Sequence, residues 1–333
     1  MALPLPPALS LRAREIARGE KKVADLADEY VKEYAMPHKR EKSVYEDRRM
    51  LNAVVLPKLG RLRVSAIDRR DIELLHTSLK ETPYQANRVL ALLSKIFSCA
   101  MDWKMRPDNP ARGVKRFHED KREAWLTGEQ LQRLADALDS YPNQDAADAL
   151  RLLILTGARP GEVMGATWPM FNLERGAWTK PSHHTKEKKP EHVPLSAAAL
   201  MILKRRWRSK TGIHLFPGRG GDRRSRTTLR NAWRQVCKAA GLATEYKIMG
   251  KRGKLLPRWK PNVRTYDLRH TFASHLVSRN ASLYKVGKLL GHTQAATTER
   301  YAHVADGPLR DLANDFGEVV LALPANSIPI ARS

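Results

Sequence analysis

Cysteine is almost absent from this chain of 333 residues, occurring only as Cys99 and Cys237. One lies inside an apolar helical pattern and the other beside a basic helix, so they can build neither a disulfide framework nor a zinc site. A reducing cytoplasm is the compartment this implies. Long apolar runs are missing too, and no stretch approaches the roughly 20 residues needed to span a bilayer. The first residues, MALPLPPALSLRAREIARGE, carry their charges after a short Pro-broken apolar start, which is not a secretory signal. His183 and His184 have no acidic or thiolate companions at ligand spacing, so no metal site is expected. No P-loop occurs either.

Negative charge is the remaining shortage. Asp and Glu number 35 against 60 Lys and Arg, a net charge of +25, and such an excess calls for a polyanionic partner, usually nucleic acid. Residues 204–264 hold 19 Lys or Arg and only two acids, Asp222 and Glu245, and so carry 17 of the 25 net charges. That segment lacks the sustained apolar face of an interfacial helix. Nucleic acid is the expected partner, and a membrane is not.

The hydrophobic pattern predicts a mainly α chain with a small β-sheet. After a tail (1–20), a helical domain is expected over 21–113. Its apolar faces run through Val23 to Tyr34, Tyr45 to Val55, Asp68 to Leu79 and Asn87 to Trp103, and RPDNPARG closes it. A linker (114–123) leads to a second domain (124–318) and a final tail (319–333). In that domain Thr127 and Gln130 form a capping box. Asp148 to Leu155 is an apolar helix stopped at Gly157, and Ala197 to Trp207 is another. Gly176 to Lys180 and His192 to Leu195 read as short strands around a polar turn. From Arg264 to Val304 three short helical pieces follow, with Ser282 as a cap and Gly291 as a stop.

At the edges of those last pieces sit Arg269, His292 and Tyr301, which packing alone does not require. A cation neutralises phosphate oxygens bidentately, an imidazole donates or shuttles a proton, and a phenol can attack phosphorus once activated. Arg159, at the start of another helix, is a second cation of this kind. Glu162, three residues later, is placed to orient it, or serves as a first-turn acid.

In this order the motifs become recognisable. ARPGEV around Arg159, TKEKKPEHVPL around Lys186, DLRHTFASH around Arg269, and LLGHTQAATTERYAHV with Tyr301 nine residues after His292 resemble the tyrosine recombinases of the phage-integrase type. The resemblance spans Val23 to Phe316. It implies a helical core-binding domain and a mixed catalytic domain that together clamp DNA. It further implies strand cleavage by Tyr301 through a 3′-phosphotyrosine, with Lys186 protonating the leaving 5′-oxygen and with neither metal nor ATP. A homotetramer on DNA is also implied, with an accessory DNA-bending or directionality protein as a possible partner and the nucleoid as the place of action. Leu309 to Leu321 is amphipathic enough to be the helix donated to a neighbour. One position departs from the family: Tyr266 stands where a His usually precedes the second Arg by three residues. His270, His275 and His303 are expected to be structural. The DNA contacts are expected from Arg205, Arg206, Arg223, Arg224, Arg226, Arg230, Lys251, Arg252, Lys254, Arg258, Lys260 and Arg264. A non-catalytic regulatory or architectural DNA binder and a type IB topoisomerase-like activity remain open on sequence alone.

Overall fold

The computed structural model describes residues 21–119, 124–181, 191–218, 221–249, 254–292 and 294–302. The chain divides into two compact units, Met1–Arg122 and Glu123–Ser333. In the first, α1 spans residues 23–38 and α2 residues 41–59, each with one wider turn. Helices α3 (Arg69–Thr77) and α4 (Pro83–Asp102) complete it. Tyr30, Ile67, Ile72, Leu93, Ile96 and Phe97 fill its core, and Arg106 knits the return loop to it through the carbonyls of Val64 and Ile67. The segment after Gly113, expected as linker, is strapped to this unit as far as Glu119. Buried Asn87 accepts from the Phe117 amide and donates to the Phe117 carbonyl and to Glu119, while His76 stacks on Phe117.

The second unit begins with α5 (Gly128–Asp139) and α6 (Gln144–Thr156). Thr127 and Gln130 reciprocate the two cap hydrogen bonds of α5. Gly157 ends α6 in the left-handed region at φ +59°, where an added Cβ would strike Phe272 and Leu290. A short helix, α7 (Pro160–Met164), follows. Then β1 (Phe171–Asn172), β2 (Ala177–Lys180) and β3 (Glu191–Pro194) form an antiparallel sheet with Trp178 opposite Val193 and Lys180 opposite Glu191. Helix α8 (Ala197–Arg208) packs on α6.

Two further hairpins belong to the basic region: β4 (Pro217–Gly218) with β5 (Gly221–Ser225), and, after α9 (Arg230–Ala239), β6 (Ala243–Met249) with β7 (Leu255–Pro261). The second is mostly solvent-exposed on both strands. It rests on α9 through its base, where Lys238 lies over the Trp259 ring. Last come α10 (Asp267–Val277), α11 (Leu283–Leu290) and α12 (Ala296–Glu299). A large core joins Leu150, Leu153, Trp178, Phe216, Trp233 and Leu268. A smaller separate one joins Ala273, Val277, Val286, Leu290 and Tyr301.

Candidate active site

Helix α10 carries the central cation. Arg269, in its first turn, is only 2% exposed, and its guanidinium donates to the Gly157 carbonyl at 2.8 Å and the Leu290 carbonyl at 2.6 Å. Both acceptors are at helix ends, where carbonyls lack helical partners, and both helices stop on left-handed glycines, Gly157 and Gly291. One side chain thus fastens the end of α6 to the end of α11. Among the described residues no carboxylate forms an ion pair with it. Burial, and next the nearby charge of Arg159, pull its pKa below the ordinary value. It is a buried positive charge held by neutral groups.

Arg159 caps α7. Its side chain is 29% exposed and donates to Glu162 at 2.6 Å. Glu162 is itself buried and accepts from the Arg159 backbone amide and from the Lys180 ammonium at 2.9 Å. Burial alone would raise the Glu162 pKa, but Lys180 and Arg159 together bring it below the usual value. Lys180, 2% exposed, reaches Glu191 at 2.9 Å as well. The sequence reading missed this lysine: it ends a strand and resembles a solvated residue, yet it closes a chain from Glu191 through Glu162 to Arg159.

His292 follows Gly291. Its Nδ1 lies 2.9 Å from the Thr298 hydroxyl. Thr298 packs so closely on α11 that a Cβ at Gly287 would meet its Oγ1 at 2.9 Å. Burial, followed by Arg269, Arg159 and Arg300, pushes the His292 pKa down to about 4, so the ring is neutral at physiological pH. With its proton on Nε2, Nδ1 accepts from Thr298 and Nε2 remains a donor.

Tyr301 is 4% exposed and its hydroxyl lies 2.7 Å from Nδ1 of His270. Burial raises the phenol pKa, and Arg269 and Arg300 offset part of the rise. His270, expected to be structural, is the residue in contact with the Tyr301 hydroxyl. Tyr266 is the N-cap residue of α10, 44% exposed, with its ring centre 5.5 Å from that of His270. His275 is held by the Leu126 carbonyl and Trp125. Lys186, His183, His184, His303 and the Leu309–Leu321 segment lie outside the described residues.

The expected DNA contacts divide. Arg224, Arg230, Lys254, Arg258, Lys260 and Arg264 are exposed, and Arg226 is half-buried. Arg223 lies in β5, and Lys251 and Arg252 are outside the described residues. Arg206 turns inward instead, onto Asp145, Asp148, the Leu215 carbonyl and the Phe216 ring. Arg205 reaches the same Asp148. Arg206 is thereby paired within the fold, whereas Arg205 keeps most of its side chain exposed.

A buried arginine hydrogen-bonded only to carbonyls among the described residues, a second arginine, a neutral imidazole and a phenol form one electrostatically coupled group suited to an anionic phosphodiester. The fold is that of lambda integrase: its dimer bound to a COC' core site matches with a TM-score of 0.68 at 18% identity, over 89% of this chain and 81% of that one. Its tetramer bound to a Holliday junction matches at 0.67, over 87% and 83%. Prophage integrase IntZ of Escherichia coli K12 is 30% identical over 181 residues, 53% of this chain and 45% of that protein. The chain likewise spans 58% of the integrase of Escherichia phage P2. Tyrosine recombinase XerD of Haemophilus ducreyi is 30% identical over 247 residues, 69% of this chain and 74% of that protein. The phage integrase family model matches residues 124–307, and the chain belongs to that family.

Proposed function

We propose that this protein is a site-specific DNA recombinase that cuts and rejoins duplex DNA through a phosphotyrosine, acting without a cofactor at the nucleoid. The observation that carries this reading is the burial of Arg269, with no direct carboxylate partner among the described residues, in the electrostatic neighbourhood of Tyr301, Arg159 and His292. Arg159 and Arg269 would grip the non-bridging oxygens of the scissile phosphate, since a buried guanidinium lacking a counter-ion gains most from an anion. Glu162, fixed by Lys180, sets the direction of Arg159. His292 donates from Nε2, and Tyr266 adds a phenolic donor at the rim.

Tyr301 attacks phosphorus, leaving a 3′-phosphotyrosine, and Lys186 supplies the proton for the departing 5′-oxygen. The reverse step reseals the strand without outside energy because the phosphoester is conserved. The exposed arginines and lysines from Arg224 to Arg264 line the backbone of the duplex. Four copies on two sites would carry out the exchange; the lambda integrase tetramer on a Holliday junction supports this assembly.

The test uses a pool of nicked duplexes with a randomised core, in which cleavage releases a short fragment and traps the protein. Wild-type protein is expected to capture a defined sequence covalently, and Tyr301→Phe none. Capture of nothing by the wild type, or equal capture by the variant, overturns the reading.

A further inference from the structure

We propose that His270, one helical turn along α10 from Tyr266, is the proton acceptor for Tyr301. The inference rests on the recombinase reading above and deepens it. Its basis is geometric: Nδ1 of His270 stands 2.7 Å from the hydroxyl of Tyr301, within the range required of a general base. Positions 266 and 270 are four apart, so they share a face of the helix, and their rings touch edge to face at 5.5 Å. A basic ring at either place therefore faces the same pocket. Tyr266 supplies a hydrogen bond but no base, whereas His270 is within reach of the nucleophile itself.

The surroundings keep the imidazole ready. His270 faces Tyr266, Asp267 and Arg269 from its own helix, Arg300 and Tyr301 from the segment after α12, and His292 from the end of α11. Burial, then the Arg300 charge, pull its pKa below the usual histidine value, with Arg269 adding to the fall and Asp267 opposing it. The ring is thus unprotonated near neutrality. With its proton on Nε2, it receives the phenol O–H on Nδ1. An arriving phosphodiester brings negative charge to Arg159, Arg269 and Arg300, removing part of the field that keeps the ring neutral.

In the cleavage step the phenol proton passes to Nδ1 as the Tyr301 oxygen bonds to phosphorus. The bond from phosphorus to the 5′-oxygen breaks, and that oxygen takes a proton from Lys186. In resealing, the attacking 5′-hydroxyl gives its proton back to Lys186, and the imidazolium returns its proton to the departing phenolate. Each proton and electron pair is accounted for, and no further reactant is required.

The test follows the rate of covalent capture against pH, from about pH 5 to about pH 9, with the nicked duplex that the wild type selects. The wild-type rate is expected to rise through the imidazole range and level off. His270→Gln, which keeps an acceptor but no base, is expected to fall by about 10²–10⁴-fold at neutral pH and to keep climbing as the phenol ionises unaided. Tyr266→His combined with His270→Gln is expected to regain part of the rate. A duplex with sulfur in place of the bridging 5′-oxygen needs no leaving-group proton. It should rescue Lys186→Ala and leave the His270→Gln defect in place.

A His270→Gln protein with the wild-type rate and pH profile, or one rescued by the sulfur duplex, overturns the assignment. Capture that survives Tyr301→Phe overturns the recombinase reading itself, whatever His270 does. A further measurement does not depend on how the variants fold. Nitrogen NMR of the free wild-type protein should show Nδ1 of His270 as an unprotonated acceptor, perturbed by Tyr301→Phe. A protonated Nδ1, or one indifferent to Tyr301, also overturns it.

Discussion

Two arginine clusters in the second unit have been buried on opposite terms. Around Asp148, which is 2% exposed, Arg151, Arg205 and Arg206 converge on one carboxylate. Asp139 and Asp145 add their charge from the rim. Around Arg269 the only fixed partners described are two carbonyl oxygens, and the charge that acts on it most strongly is another arginine, Arg159. A buried ion needs pairing or it destabilises its surroundings. The first cluster settles that requirement internally and works as a bolt between α6 and α8. The second leaves it to be met from outside. Burial of an arginine is therefore no guide to its use; the character of its partners is.

The comparison can be broken most forcefully at its structural end. Asp148→Asn removes the buried carboxylate on which Arg151, Arg205 and Arg206 converge, leaving Asp139 and Asp145 as their remaining acids, and a loss of about 2–3 kcal/mol in unfolding free energy is expected, read from the denaturant midpoint. The cleavage rate per folded molecule should hardly change. If folded Asp148→Asn protein lost cleavage as a site variant does, the two clusters would not be separable.

Arg269→Gln should do the opposite. Cleavage is expected to drop by about 10²–10³-fold, the usual cost of one donor to developing charge, while the fold persists. Single-turnover capture kinetics alongside a melting curve decides this.

Acid provides a weaker lever on the same contrast. The folded-state pKa of His292 near 4 lies below the unfolded value of about 6.5, so between these values the unfolded chain binds more protons. Stability is fully present above about pH 6.5 and is lost as pH falls towards 4, by on the order of 1 kcal/mol for this partly exposed ring. His292→Gln should flatten that limb of the stability profile, and an unchanged limb would remove His292 from the coupled group. The smallest effect is expected at the exposed charges. Each of Arg258→Gln and Lys260→Gln should reduce the slope of log binding constant against log salt by about 0.9 if it meets a phosphate, while Arg206→Gln should leave the slope alone.

Local chemistry made much of this fold readable beforehand. The Thr127 capping box, the Ser282 cap and the glycine stops at 157 and 291 depend on a few neighbouring residues, and each appears where spacing places it. The hairpin of β6 and β7 was not readable. Its strands show no clean apolar alternation, Pro257 and Pro261 argue against strand, and its density of cations suggests a DNA contact before it suggests a ladder. Lys180 and His270 were hidden for another reason. Whether a lysine at a strand end is buried depends on Glu162 and Glu191, brought by other elements. His270 points where the helical phase directs it, towards a tyrosine 31 residues later in the chain. Motif spacing singled out Arg159, Arg269, His292 and Tyr301 as candidates; which groups hold them required the folded arrangement.

Tyr301 belongs to the minor core with Ala273, Val277, Val286 and Leu290, whereas Leu268, one residue before Arg269, is sealed in the major one. The two halves of the site are therefore guarded by unequal locks. A satellite core of few apolar side chains opens at a lower free-energy cost than the main body. Amides of α11 and α12 are expected to exchange with solvent faster than those of α6. If Tyr301 is the nucleophile as proposed, its nearly sealed phenol would be released by a local breathing motion while Arg269 stays in place, and the frequency of that breathing would set a ceiling on how fast a strand can be cut.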